Sequence, residues 1–277
     1  MDQRKIEEKS LTVGIIGVGS MGSYVARSIL KGEVEGAQLV AVADSVPPPK
    51  DLLEELQSHS VAVVSSFSAL LDYPLRLVVE CANQDVARKC SDLFVSNGIS
   101  VLIMSVGALV HGSFFAELVS KAKRKGCQIY IPSGAIGAID ALKAAKLQGL
   151  EEVILTTRKH PRSLGKIEGV NLENLSEPRV VFEGKAVEAV VKFPKNVNVA
   201  ATISLAGVGP ERTMVRVIAD PGVEQNIHEV YARGAFGSFE IRLTNTISSR
   251  NPKTSLLACL SVVSLLKRIQ ETAQIGT

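Results

Sequence analysis

Apolar and polar positions in the first half of the chain fall into short alternating blocks. Val13, Ile15 and Ile16 mark a β-rich apolar run. Helical spacing follows, with Tyr24, Val25, Ile29 and Leu30 on one side, and then a second apolar run over Gln38–Ala43. A 3.6-residue period signals an amphipathic helix, and a short unbroken β-branched run signals a buried strand. The blocks continue in the same order. Lys50–His59 is predicted as a helix, Val61–Val64 as a strand and Ser68–Asp72 as a short helix capped by Ser66 or Ser68. Leu75–Glu80 is predicted as a buried strand, Gln84–Asn97 as a helix, Ile99–Met104 as a strand, Ser113–Gly126 as a helix and Gln128–Ile131 as a strand. Strands alternating with helices over short connections specify a Rossmann-like, doubly wound parallel sheet.

Beyond Ile139 the pattern changes. Ala138–Leu147 reads as a helix, and strand-like runs follow at Glu152–Thr157, Arg179–Glu183, Thr213–Ala219, Ile227–Arg233 and Gly237–Thr244. Helices are predicted at Ala186–Phe193 and Val197–Leu205. Strands with little intervening helix suggest a mixed or antiparallel sheet. Asn251 suits an N-cap and Pro252 the first turn of a final helix that reaches about Glu271. The expected fold class is α/β. Residues 1–137 are expected to form the doubly wound domain and 138–251 a second, α+β domain. The C-terminal helix, 252–277, is expected to pack back on the first domain.

The first strand enters glycines spaced G-x-G-x-x-G at Gly17, Gly19 and Gly22, with Ser20 and Met21 inside the loop. Gly17 permits a tight turn, Gly19 lets backbone approach a pyrophosphate, and Gly22 lets helix and strand pack closely. The helix N-terminus then offers free N–H groups to phosphate. Asp44 ends the second strand, where a carboxylate accepts bonds from ribose hydroxyls and repels a 2′-phosphate. NAD is therefore favoured, with NADP left open by the nearby Lys50. Ligands of such sheets lie beyond the carboxyl ends of the strands. That selects the loops Gly17–Gly22, Cys81–Asn83, Ser105–Ala108 and Pro132–Gly137, adding Cys81 and Ala82 as cofactor contacts and Ser133 as a substrate contact.

Composition removes several classes. The 277 residues are 46% hydrophobic and 21% charged, with a net charge of +3 and no dense basic stripe, so nucleic acid is not an expected partner. No apolar run is long enough to predict a membrane span, and the charged start MDQRKIEEKS lacks a signal-peptide core. Cys81, Cys90, Cys127 and Cys259 form no C-x-x-C pair or cluster with histidine, so no metal is expected; buried free thiols are expected instead, in a reducing compartment and hence the cytoplasm. His59, His111 and His160 fall at helix ends or in loops. His160 belongs to a basic stretch with Arg158, Lys159 and Arg162. His228 opens a strand. Alternation puts it with Asn226 and Val230, opposite Ile227, Glu229 and Tyr231, and neither face is cleanly apolar. Its imidazole is the side chain best suited to move a proton near neutral pH.

These segments together resemble the L-aspartate dehydrogenase family of NAD(P)-dependent enzymes. The resemblance is carried by Gly17–Gly22, by the run from Pro132 to Asp140 (PSGAIGAID) and by the run from Phe193 to Ala201 (FPKNVNVAA). The surroundings of His228, Gly234–Gly237 and Asn251–Ser255 add to it, so it spans nearly the whole chain after Leu11. It implies oxidation of L-aspartate at Cα to iminoaspartate. That product hydrolyses to oxaloacetate and ammonia or passes to quinolinate synthase for NAD biosynthesis. It puts His228 at the active-site histidine, as general base or as substrate binder, and Ala135 and Asn198 at cofactor-contacting positions. Lys253 and Thr254, at the expected start of the last helix, are candidates for the substrate carboxylates. The strand-rich second domain has one sheet face to spare, and a homodimer through it is the economical cover.

The alternatives are weaker on residues. The His-His-x-x-Lys run of dihydrodipicolinate reductases is absent. The Glu-Lys-Pro run of sugar and inositol dehydrogenases is replaced by Met104-Ser105-Val106-Gly107. The lysines of homoserine dehydrogenases have no match here. A non-catalytic NAD-sensing regulator would keep the glycine loop and lose the surroundings of His228 and Asn198, and both are present.

Overall fold

The first half of the chain forms a six-stranded parallel sheet in a computed structural model that describes residues 10–165, 167, 170–172, 175–193, 198–248 and 251–276. In chain order the elements are β1 (Leu11–Ile16), α1 (Ser20–Leu30), β2 (Ala37–Ala43), α2 (Lys50–Ser58), β3 (Ala62–Val64), β4 (Leu77–Glu80), α3 (Gln84–Ser96), β5 (Ser100–Ile103), α4 (Phe114–Lys125) and β6 (Ile129–Tyr130). A 3-10 turn, Phe67–Asp72, starts where Ser66 Oγ accepts from the Ser68 N–H at 3.3 Å. The strand order is β3-β2-β1-β4-β5-β6, all parallel. It reverses direction between β1 and β4, which opens a crevice at their carboxyl ends. Val13, Ile15, Val78, Val79, Leu102 and Ile103 are buried, as expected of a parallel sheet covered on both faces.

The second half supplies α5 (Ile139–Lys146), β7 (Leu150–Lys159), α6 (Pro161–Leu164), β8 (Arg179–Lys185), α7 (Ala186–Lys192), α8 (Asn198–Ala206), β9 (Met214–Ala219), β10 (Asn226–Gly234), β11 (Gly237–Asn245), β12 (Ile247–Ser248), β13 (Asn251–Ser255) and α9 (Leu256–Gln270). The sheet order is β11-β10-β7-β9-β8. Only β7 and β9 run parallel, so the sheet is mixed. Val153, Leu155, Val215, Val217, Val230 and Ala232 fill the core on one face.

Two expectations need correction. The final helix does not begin at Asn251 and Pro252. Asn251–Ser255 pairs with β12 as a two-stranded ribbon, and the Leu256 N–H donates to Thr246 O at 3.0 Å before the helix starts. Ladder bonding takes the polar run that a helix cap would have used, and proline is tolerated on an edge strand. The strand expected to stop at Thr157 runs on to Lys159, because Arg158 and Lys159 pair with Ile218 and Ala219 of β9. Lys159 is therefore a sheet residue and not part of a basic loop.

The described residues divide into two units. The first holds 10–108, 112–132 and 261–274, and the second holds 109–111, 133–260 and 275–276. Among the described residues no helix is long and apolar enough to cross a membrane.

Candidate functional site

In the first unit the glycine loop is built by steric necessity. Gly17 has φ 83°, and a Cβ there would lie 3.0 Å from the Ala82 backbone. A Cβ on Gly22 would collide with the Gly17 carbonyl oxygen, so α1 can approach β1 only with glycine at that position. Gly19 differs: it is exposed, and a Cβ would meet nothing within 4 Å. Gly19 also caps α1 without a side-chain bond, which leaves first-turn N–H groups directed at the open side of the loop. Ser20 and Met21 open α1 and are half-buried.

Asp44 is tied to this loop. Its Oδ2 accepts from the Val18 N–H at 2.7 Å and its Oδ1 from the Val46 N–H at 3.0 Å. An open glycine, an uncapped helix start and a carboxylate beside them fit a dinucleotide, with pyrophosphate on the helix and ribose on the acid. Cys81 is half-buried, and its N–H donates to Ile16 O at 2.8 Å. Glu80 had no functional reading from sequence, yet it fastens two crevice loops. Its carboxylate accepts from the Ala82 N–H at 2.7 Å and from the Ser105 N–H and Oγ at 2.9 and 2.8 Å. Burial pushes its pKa up while the bonds from Ser105 and Ala82 pull it down. The signal was an acid closing a wholly apolar strand.

In the second unit the orientation of His228 is plain. It shares a buried face of β10 with Asn226, Val230 and Ala232, and only 2% of it is exposed. Its register partner on β7 is Thr157, whose Oγ1 lies 3.0 Å from His228 Nδ1. Two residues along β7, on the same face, stands Lys159, 4% exposed. Thr157 and Lys159 line a small recess between the sheet and its helices, walled by Leu155, Val217, Leu164 and Ala200. Burial, reinforced by the Lys159 charge, depresses His228 to about 3, and burial lowers Lys159 to about 8. At neutral pH this pair is a neutral imidazole beside an ammonium.

Asn226 Nδ2 donates to Ser255 Oγ at 3.3 Å, while its Oδ1 has no hydrogen-bond partner among the described residues. Asn245 Nδ2 donates to Ala135 O at 3.0 Å and so holds the loop containing Ser133, Gly134 (φ 67°) and Ala138 (φ 69°). Ala135 is buried and Ser133 half-buried. Asn198 begins α8, and its carbonyl accepts from Thr202 Oγ1 at 2.9 Å. Lys253 and Thr254 lie in β13 and not at a helix start, and their side chains fall outside the described residues. Residues 194–197 of the expected motif also fall outside them.

His160 Nδ1 accepts from the Arg162 N–H at 3.2 Å. Among the described residues no group of His, Cys, Asp and Glu could hold a metal ion. Cys90, Cys127 and Cys259 are buried free thiols. Sequence reasoning missed Thr157 and Lys159. The signal was present in the period-2 series Val153, Leu155, Thr157 and Lys159, whose last two members replace apolar residues with polar ones on a core face.

Residues 140–269 match the family model described as "Aspartate dehydrogenase, C-terminal", and residues 17–132 match that of "Homoserine dehydrogenase, NAD binding domain". The chain is 43% identical over 272 residues to the L-aspartate dehydrogenase of Methanosarcina mazei, covering 96% of this chain and 100% of the relative. It is 36% identical over 270 residues to that of Methanocaldococcus jannaschii, with coverage of 96% and 100%. Among solved structures, aspartate dehydrogenase from Thermotoga maritima aligns with a TM-score of 0.76 at 29% identity, covering 96% of this chain and 99% of that one. A hyperthermophilic archaeal homoserine dehydrogenase in complex with NADPH aligns with a TM-score of 0.60 at 13% identity, covering 97% and 100%, and shares the fold.

Proposed function

We propose that this chain, which belongs to the aspartate dehydrogenase family, oxidises L-aspartate at Cα with NAD as its cofactor. The observation that carries the reading is the buried, neutral His228 held by Thr157 in the unit that contains the matching C-terminal segment. The residues proposed to hold the dinucleotide are Gly17, Gly19, Ser20, Met21 and Gly22 at the pyrophosphate, Asp44 at the ribose, and Cys81, Ala82, Ala135 and Asn198 beyond them. When bound, the nicotinamide supplies the two-electron acceptor at its C4. Asp44 favours NAD over NADP because a 2′-phosphate there would meet its carboxylate.

His228 acts on the substrate nitrogen. The tautomer that donates from Nδ1 to Thr157 leaves Nε2 with a lone pair. Nε2 takes a proton from the substrate nitrogen while the Cα–H bond breaks and its electron pair leaves as hydride. A C=N bond forms, giving iminoaspartate, and hydrolysis of that imine yields oxaloacetate and ammonia. Ser133, Lys253 and Thr254 are proposed to meet the substrate carboxylates, the last two as strand residues. The chain is further proposed to work in the cytoplasm as a homodimer through its second sheet, handing the imine to a quinolinate synthase for NAD biosynthesis. Light scattering that finds a monomer at micromolar concentration would rule the dimer out.

The direct test is absorbance of NADH on mixing the protein with L-aspartate and NAD. His228→Ala should lower turnover by about 10²-fold or more, the usual scale for a lost general base, with NAD affinity retained. If His228→Asn restores most of the activity, His228 binds substrate and is not the base. Near-native turnover in both variants removes it from the site.

A further inference from the structure

Two basic side chains are buried among the described residues, Lys159 and His228, and both stand on the same face of the same sheet. The register explains the juxtaposition. His228 pairs across to Thr157, and Lys159 follows two residues later on that strand. On its other side Lys159 pairs with Ala219, a small neighbour. Leu155, Val217, Leu164 and Ala200 make the recess apolar around the lysine stem. Apolar walls strengthen any charge contact made there, so a carboxylate brought to this ammonium would be held more strongly than in water.

The α-carboxylate and amino group are common to all amino acids. Aspartate is set apart by its second carboxylate. We infer that Lys159 binds this side-chain carboxylate and thereby selects dicarboxylic over monocarboxylic amino acids at the site of His228, an inference that rests on the aspartate-oxidising function proposed above. A bound carboxylate has a second effect. The Lys159 charge contributes to the weak basicity of His228, so neutralising it makes the imidazole a better base once the correct substrate is seated.

The test compares native enzyme with Lys159→Met, which keeps the stem and removes the charge, and with Lys159→Arg, which keeps the charge. Turnover and KM are measured for L-aspartate and L-alanine with NAD, together with inhibition by succinate and butyrate. In Lys159→Met the KM for L-aspartate should rise about 10- to 100-fold, the scale of a hydrogen bond to a charged group. Turnover should change far less, succinate should inhibit more weakly in parallel, and L-alanine should be used no worse than before. Lys159→Arg should regain part of the loss. Native KM for aspartate in a folded Lys159→Met, or equal losses toward aspartate and alanine, overturns the inference and leaves the proposed function standing. A native enzyme inert toward aspartate overturns both. If Lys159→Met does not fold, Lys159→Arg decides, because its forked head displaces the charge. It must alter succinate inhibition several-fold without altering that by butyrate, and unchanged constants for both overturn the inference.

Discussion

Replacing His228 with Asn should flatten the dependence of stability on pH below neutrality. The imidazole is 2% exposed, and burial with the neighbouring Lys159 charge holds its pKa at about 3 against an ordinary 6.5. Because the folded value is depressed, the unfolded chain takes up this proton first as pH falls. The stability gained from a neutral buried imidazole is complete above pH 6.5 and is lost progressively toward pH 3. Each pH unit in that window is worth about 1.4 kcal/mol. Between about pH 7 and pH 4.5 the native protein should lose about 3 kcal/mol through His228 alone, and by pH 3 about 5 kcal/mol. Asparagine can still meet Thr157 but does not titrate. Urea unfolding of both proteins at the two pH values measures the difference, since titrations elsewhere largely cancel. The native chain should lose about 3 kcal/mol more than His228→Asn. A gap under about 1 kcal/mol refutes the depressed basicity of His228.

Lys159 gives the matching result from the alkaline side. Its folded pKa of about 8 lies below the usual 10.5, so stability is lost as pH falls from 10.5 to 8 and the cost persists at neutral pH. Lys159→Met should therefore melt higher than native at pH 7, by up to about 3 kcal/mol in free energy, and a marked fall in melting temperature would contradict the burial cost. Gly22→Ala drives a Cβ into the Gly17 carbonyl and should cost about 2 kcal/mol or more. Gly19→Ala enters open space and should melt like native while binding NAD more weakly; a reversed order in calorimetry and cofactor titration would sink the assigned glycine roles. Asp44→Ser should relax the preference for NAD, and NADP binding as tight as NAD by the native chain would end the argument from that carboxylate.

The sequence by itself determined whatever depends on local period and local sterics. The strand–helix alternation that fills β1 to β6 is written in continuous β-branched runs, because a parallel sheet buries both faces of its strands. The loop at Gly17–Gly22 was legible because the tight turn at Gly17 and the close helix–strand approach at Gly22 exclude a Cβ at those two positions, whatever the rest of the molecule does. Asp44 followed from its distance along the βαβ unit. The tertiary structure decided what depends on pairing between distant segments. His228 lies on a strand with polar residues on both faces, and only the pairing of β10 with β7 settled which face is buried and that Thr157 meets it. Lys159 sits between Arg158 and His160 in sequence and looked like loop. Its ladder with Ala219, 60 residues on, made it a core residue beside the candidate base. Asn251–Ser255 carried a helix-start signal and became a strand, because β12 offered its backbone a ladder. A cap is chosen among neighbours a few residues away, whereas a register is chosen by another strand's hydrogen bonds, and that information is not contained in the local sequence.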